Sequence, residues 1–232
     1  KNVHFPESAD AMHNALKRLC FEEMFTVSVA ISMTKSKKQK SGAPIIQCEN
    51  INAFTSLLPY SLTSAQERSV HEILSDMNSS VPMNRILTGD VGSGKTVVCE
   101  IAAYAAVKSG YQVAVMAPTE ILATQHYNDF RDIFKRLGIR VNLLTGSSTA
   151  AKKRDIIASL SGNSGEHTDI VIGTHALLSD NVVFERLGLV ITDEQHRFGV
   201  MQRAALAEKS KSVHTLVMSA TPIPRTLSLV IY

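Results

Sequence analysis

The sequence predicts an α/β protein, a mainly parallel sheet covered by helices on both faces and preceded by one long amphipathic helix. Two patterns carry this. From Leu62 onward, short Val- and Ile-rich runs alternate with segments of helical periodicity, the rhythm of sheets buried on both faces. Before that, Leu16, Leu19, Cys20, Met24, Val27 and Ile31 recur at steps of three and four, which places a helix from about Ala9 to Met33.

The elements follow in order. After the first helix, Lys35–Gly42 breaks the pattern with charge, serine and glycine and reads as a mobile connector. This basic run can touch a phosphate backbone, but its composition favours a solvated loop. Helices are expected near Ser64–Met77, Lys95–Lys108, Ile121–Leu137, Ala151–Leu160 and Gln202–Lys209. Strands are expected at Arg85–Thr88, Gln112–Ala117, Arg140–Leu144, Asp169–Gly173, Leu187–Asp193 and His214–Ser219. Ligands on such sheets sit at the carboxyl ends of the strands.

A chain of 232 residues, 44% hydrophobic, suffices for one large domain or a domain with an appendage. No apolar stretch approaches the ~18 residues a membrane span needs, and the N-terminus lacks a secretory signal. A soluble, cytoplasmic protein without a membrane partner is expected. Cys20, Cys48 and Cys99 have no Cys-x-x-Cys spacing, which argues against a disulfide framework or a zinc site. The net charge of +3 is compatible with nucleic acid and with many other partners.

Gly89-Asp90-Val91-Gly92-Ser93-Gly94-Lys95-Thr96 fits the phosphate-binding pattern G-x-x-x-x-G-K-[ST] at every fixed position. Gly89, Gly92 and Gly94 allow the loop, Ser93 included, to bring backbone N–H groups against phosphate oxygens. The helix beginning near Lys95 adds the positive end of its dipole. Lys95 can reach the β- and γ-phosphates, and the Thr96 hydroxyl can ligate Mg2+. An apolar strand before the loop and the helical spacing of Val97, Val98, Ile101, Ala102, Ala105 and Ala106 after it supply the context the motif requires. A nucleoside triphosphate is the expected ligand.

Leu189–Thr192 runs into Asp193-Glu194-Gln195-His196, which sets two carboxylates at a strand end. Asp193 suits Mg2+, directly or through water, and Glu194 suits orienting or deprotonating the attacking water. For His196 a hydrogen-bonded structural role outweighs catalysis. Ser219 and Thr221 end another apolar strand; they either sense the γ-phosphate through the acidic motif or satisfy a turn before Pro222.

Together GDVGSGKT, APTEILATQH (117–126), TGS (145–147), IGTHALL (172–178), DEQHRFGV (193–200) and SATPIPRT (219–226) resemble the ordered motifs of superfamily 2 helicases. The resemblance runs from about Leu58 to the C-terminus, and Leu16–Glu23 resembles the helix joining a DNA-binding wedge to the motor in bacterial members that act on branched DNA. Thr119-Glu120 and Gln195 favour that branch over the transcription-repair coupling factor, which typically has paired threonines and a second glutamate there.

The resemblance implies a RecA-like P-loop NTPase lobe over residues 58–232, with residues 1–57 as linker helix and connector from a wedge domain. It implies ATP and Mg2+, with Gln66 pairing the adenine edge and Tyr60 either stacking on the base or packing on the sheet. Thr119, Thr174 and His175 match segments that touch the nucleic-acid backbone, so DNA binding should be independent of sequence. Gln195, His196, Ser219 and Thr221 match positions that couple ATP to DNA. The parent is then expected to be a monomeric ATP-dependent DNA helicase that remodels stalled forks and Holliday junctions in repair and recombination. Such motors are two-lobed, and the second lobe supplies arginine fingers. A chain ending at Tyr232 is therefore expected to be a fragment that hydrolyses ATP slowly if at all. Two other classes are weaker fits. A P-loop enzyme unrelated to DNA needs an acceptor site and a lid, and neither is visible. A nucleotide-gated interaction module needs no counterpart of Glu194.

Overall fold

The computed structural model describes residues 4–38, 42–48, 50–162, 165–193 and 212–220, with side chains from residue 30 to 38 excepted. The chain divides into two compact units, residues 1–40 with 223–232, and residues 41–222. In the first, helix α1 spans Ala9–Lys38. Ser8 opens it: its hydroxyl accepts the Ala11 N–H at 3.1 Å, and Arg18 bridges to Glu22 one turn on at 2.9 Å. The helix continues to Lys38 rather than ending near Met33, so the first half of the expected connector, Lys35–Lys38, is helical. Thr34–Lys38 contains neither glycine nor proline, and lysine is a good helix former.

The second unit comprises, in order, α2 (Asn52–Thr55), α3 (Ser64–Met77), β1 (Asn84–Thr88), α4 (Lys95–Lys108), β2 (Gln112–Met116), α5 (Glu120–Arg136), β3 (Val141–Leu144), α6 (Ala150–Leu160), β4 (Ile170–Gly173), a 3-10 turn (His175–Leu178), β5 (Leu187–Asp193) and β6 (His214–Ser219). The six strands form one sheet in the order β1-β6-β5-β2-β4-β3, and every pairing among them is parallel. The α/β sheet read from the sequence is thus present. The helix expected at Gln202–Lys209 lies outside the described residues.

Side chains alternate between the two faces of the sheet. Val113, Val115, Ile170, Ile172, Leu189 and Ile191 pack in one core with α3, α4 and α5, while Ala114, Met116, Val171 and Val190 pack in another with Ile156 and Leu160 of α6. The segment ahead of residue 58 also enters the first core. Ile46 and Phe54 are buried, and Phe54 packs against Tyr104 and Phe134, each at a ring separation of 5.6 Å.

His214 fastens three segments. Its Nδ1 accepts the Met83 N–H at 3.0 Å, so its Nε2 carries the proton donated to the Pro44 carbonyl at 2.7 Å. Burial lowers its pKa below the ordinary imidazole value of 6.5. The folded state then binds fewer protons than the unfolded chain, so stability is full above about pH 6.5 and falls as pH drops below it. Glu100, in the apolar helix α4, is the opposite case. It is buried, and burial followed by the charge of Asp129 pushes its pKa from the ordinary 4.5 up to about 8. Here the folded state keeps a proton that the unfolded chain has lost, so stability falls as pH rises from about 4.5 to 8.

Urea melts should therefore carry two opposed contributions, an acid flank below about pH 6.5 from His214 and an alkaline flank from Glu100 that begins near pH 4.5 and is complete by about pH 8. His214→Leu should flatten the acid flank and cost about 1–3 kcal/mol at pH 7, from the stranded Met83 and Pro44 groups. Glu100→Gln should flatten the alkaline flank and raise the urea midpoint at pH 8–9, with little change near pH 4.5.

Candidate functional site

The glycine loop leaves β1 beside the end of β6. Thr88 pairs with Ser219 in register, and the Gly89 N–H donates to the Ser219 carbonyl at 3.3 Å. Gly92 and Gly94 have φ of 82° and 80°, the left-handed region that favours glycine, and Gly94 is the N-cap of α4. A Cβ on Gly94 would collide with the Gln66 amide, and one on Gly89 would lie 2.6 Å from Ser93 Oγ. Lys95 Nζ donates to the carbonyls of Gly89 at 2.6 Å and Asp90 at 2.9 Å, so the ammonium lies over the cradle.

Gln66 ties this loop to α3. Its Nε2 donates to the Ser93 carbonyl at 3.0 Å, and its Oε1 accepts the Thr63 N–H at 2.9 Å. In return the Thr63 hydroxyl accepts the Gln66 N–H at 3.3 Å, which completes a capping box. Beside the loop opens a cavity of about 480 Å³ whose walls include Tyr60, Gly94, Thr96, Glu100, Asp129 and Arg136. Tyr60 is exposed there, and the Glu100 side chain forms no hydrogen bond with any described residue.

Asp193 ends β5, level with Met218 of β6. Because β6 lies between β1 and β5, Asp193 stands two strand spacings, or ~10 Å, from the loop's strand. Its Oδ2 is 2.9 Å from Nε2 of His126 on α5, with both side chains largely buried. Nδ1 of His126 is buried and has no hydrogen-bond partner among the described residues. Glu194, Gln195, His196 and Thr221 lie outside the described residues.

The glycine cradle and the overlying ammonium fit a polyphosphate. The Thr96 hydroxyl and the Asp193 carboxylate are hard oxygen donors, the kind Mg2+ takes alongside phosphates and water. No cluster of three or more His, Cys, Asp or Glu residues forms a metal site among the described residues.

The other half of the sheet carries the candidate nucleic-acid contacts. Thr119 is exposed at the end of β2 and caps α5, its hydroxyl accepting the Leu122 N–H at 3.3 Å. Glu120 accepts the Ser147 N–H at 3.0 Å and the Ser147 hydroxyl at 2.6 Å. These bonds hold its carboxyl below the ordinary range, with a smaller contribution from nearby His175. A Cβ on Gly173 would strike the Leu144 carbonyl, so only glycine fits where β4 leaves the sheet. The Thr174 hydroxyl beyond it is buried without a partner among the described residues, and His175 is exposed. Thr119, Ser147 and His175 thus share one rim.

Sequence reasoning missed His126 and Glu100 as site residues. Glu100 left a signal, a lone acid in Val97–Val107, whereas the pairing of His126 with Asp193 is tertiary and left none.

Residues 63–230 match the model of the DEAD/DEAH box helicase family. The chain is 49% identical to the ATP-dependent DNA helicase RecG of Aquifex aeolicus, over all of this chain and 30% of that protein. It is 48% identical to RecG of Streptococcus pneumoniae, over 98% of this chain and 34% of that one. The chain thus spans about a third of the length of these curated relatives. Among solved structures, RecG bound to a three-way DNA junction matches all of this chain and 31% of its own, with a TM-score of 0.82 and 44% identity. The UvsW helicase of bacteriophage T4 matches 78% of this chain at a TM-score of 0.56 and 17% identity, a likeness of fold alone. With the phosphate loop and the acidic strand end both inside the matched region, the chain belongs to the DEAD/DEAH box helicase family.

Proposed function

We propose that residues 58–232 are the ATP-binding lobe of a RecG-type ATP-dependent DNA helicase, and that residues 1–57 join it to a DNA-binding domain. The observation that carries this reading is the placement of the glycine loop and Asp193 at the same edge of the sheet, on strands that flank β6, in a chain that matches the junction-bound RecG throughout its length. In this reading the cradle of Gly89, Gly92, Ser93 and Gly94 binds the phosphates of ATP, and Lys95 leaves its loop carbonyls for the β- and γ-phosphates. Thr96 and Asp193 hold Mg2+, which neutralises charge developing on the phosphates. Glu194 orients the attacking water. Tyr60 lies against the base, while Gln66 fixes the loop.

DNA is the proposed partner on the far rim. There the exposed Thr119 and His175, with the backbone at Thr174, contact phosphates without reading bases. Gln195, His196, Ser219 and Thr221 relay the state of the nucleotide to that rim. The intact protein is proposed to act as a cytoplasmic monomer on branched duplexes such as stalled forks and Holliday junctions, in repair and recombination. A three-way junction is the ligand of the matched RecG structure.

In the full-length protein, forked DNA should stimulate ATP turnover; equal rates with and without it would remove the motor reading. Glu194→Gln should reduce kcat by about 10²-fold or more while ATP binding persists. Lys95→Ala should weaken binding as well, by the equivalent of about 1.5–3 kcal/mol for a charged hydrogen bond. Turnover retained in the glutamine variant would assign the catalytic carboxylate elsewhere.

A further inference from the structure

The cavity beside the phosphate loop has polar groups that phosphate binding leaves unused, Glu100, Asp129, Asp132 and Arg136, of which Glu100 is the one buried in the core. Glu100 lies one turn beyond Thr96 on the same face of α4, and side chains on a helix lean toward its N-terminus, here toward the loop. It is 7% exposed, has no hydrogen-bond partner among the described residues and faces a cavity of about 480 Å³. The carboxyl is thus largely buried yet open to the cavity, where a bound group can take the hydrogen bonds that water otherwise makes.

The chemistry of the walls narrows that partner. Burial and Asp129 keep the Glu100 carboxyl protonated near neutrality, so it offers one O–H donor and one carbonyl acceptor. In that state it adds no negative charge close to a polyphosphate. Asp129 on α5 lines the same cavity and supplies a further acceptor. The cavity is bounded by Gly94 and Thr96 of the loop and by Pro59 and Tyr60. In a nucleotide, the unit joining the phosphates to the stacking base is the sugar, whose hydroxyls both donate and accept. The Gln66 amide already binds at both ends, to Thr63 and Ser93.

We propose that Glu100, assisted by Asp129, hydrogen-bonds the ribose hydroxyls of the bound nucleotide, so that the lobe selects ribonucleotides over deoxynucleotides. The inference rests on the reading of the glycine loop as an ATP site.

Calorimetric titration of the full-length protein with ATP, 2′-deoxy-ATP, 3′-deoxy-ATP and inorganic tripolyphosphate, each with Mg2+, tests it. The unmutated protein should bind ATP about tenfold more tightly than at least one deoxy analogue, the scale of one lost hydrogen bond to a buried group. Glu100→Ala should bring that ratio close to one and leave tripolyphosphate affinity unchanged. Glu100→Gln, which keeps a donor and an acceptor, should retain most of the preference. Equal affinities for ATP and both deoxy analogues in the unmutated protein would overturn the proposal without any variant. So would a ratio unchanged in the alanine variant. If neither ATP nor tripolyphosphate binds, the loop itself has been misread, a pattern distinct from loss of sugar preference.

Discussion

The hydrogen bonds that pair β6 with β1 on one side and with β5 on the other set the level at which the nucleotide-side loops leave the sheet. Because these strands run parallel, their carboxyl ends meet at one edge, and the glycine loop and Asp193 arise there from distant parts of the sequence. A slip of one residue in either pairing would turn Leu216 and Met218 out of their core. The apolar alternation that stabilises the sheet is thus also what aligns the site.

The same economy governs α4. It begins at the loop with Gly94 as its cap and is buried for most of its length, from Val97 to Ala106. A helix so enclosed cannot shift without disturbing both the sheet and its neighbours α3 and α5. That gives the phosphate cradle a rigid floor. The polar Glu100 within it is an exception, and burial favours its neutral acid up to about pH 8.

Much of this was legible in the sequence. The helices from Ser64 to Leu160 announced themselves through a period of three to four and the strands as short Val- and Ile-rich runs, while the glycine loop and the acidic strand end stood out by residue types at fixed spacing. What escaped was tertiary. Phe54 sits in a helix of four residues, too short for any period, and is held by Tyr104 and Phe134 far along the chain. His126 meets Asp193, and Glu120 meets Ser147, across turns of chain that no local pattern predicts. The bond of the Gln66 amide to the Ser93 carbonyl likewise joins distant parts of the sequence and left no local signal.

The strand order has a temporal consequence. β6 is the last of the described strands along the chain, yet it lies inside the sheet between β1 and β5. During synthesis, β1 emerges early and has no sheet neighbour until residues 214–219 arrive. The Gly89 N–H and the Met83 N–H wait for β6 as well, the one for the Ser219 carbonyl and the other for His214. Closing a parallel pair over so long a loop is slow. The phosphate loop, translated ahead of the strands that complete its half of the sheet, is thus among the last parts of the lobe to acquire its shape, so a nascent chain has little opportunity to capture nucleotide before the rest of the lobe exists.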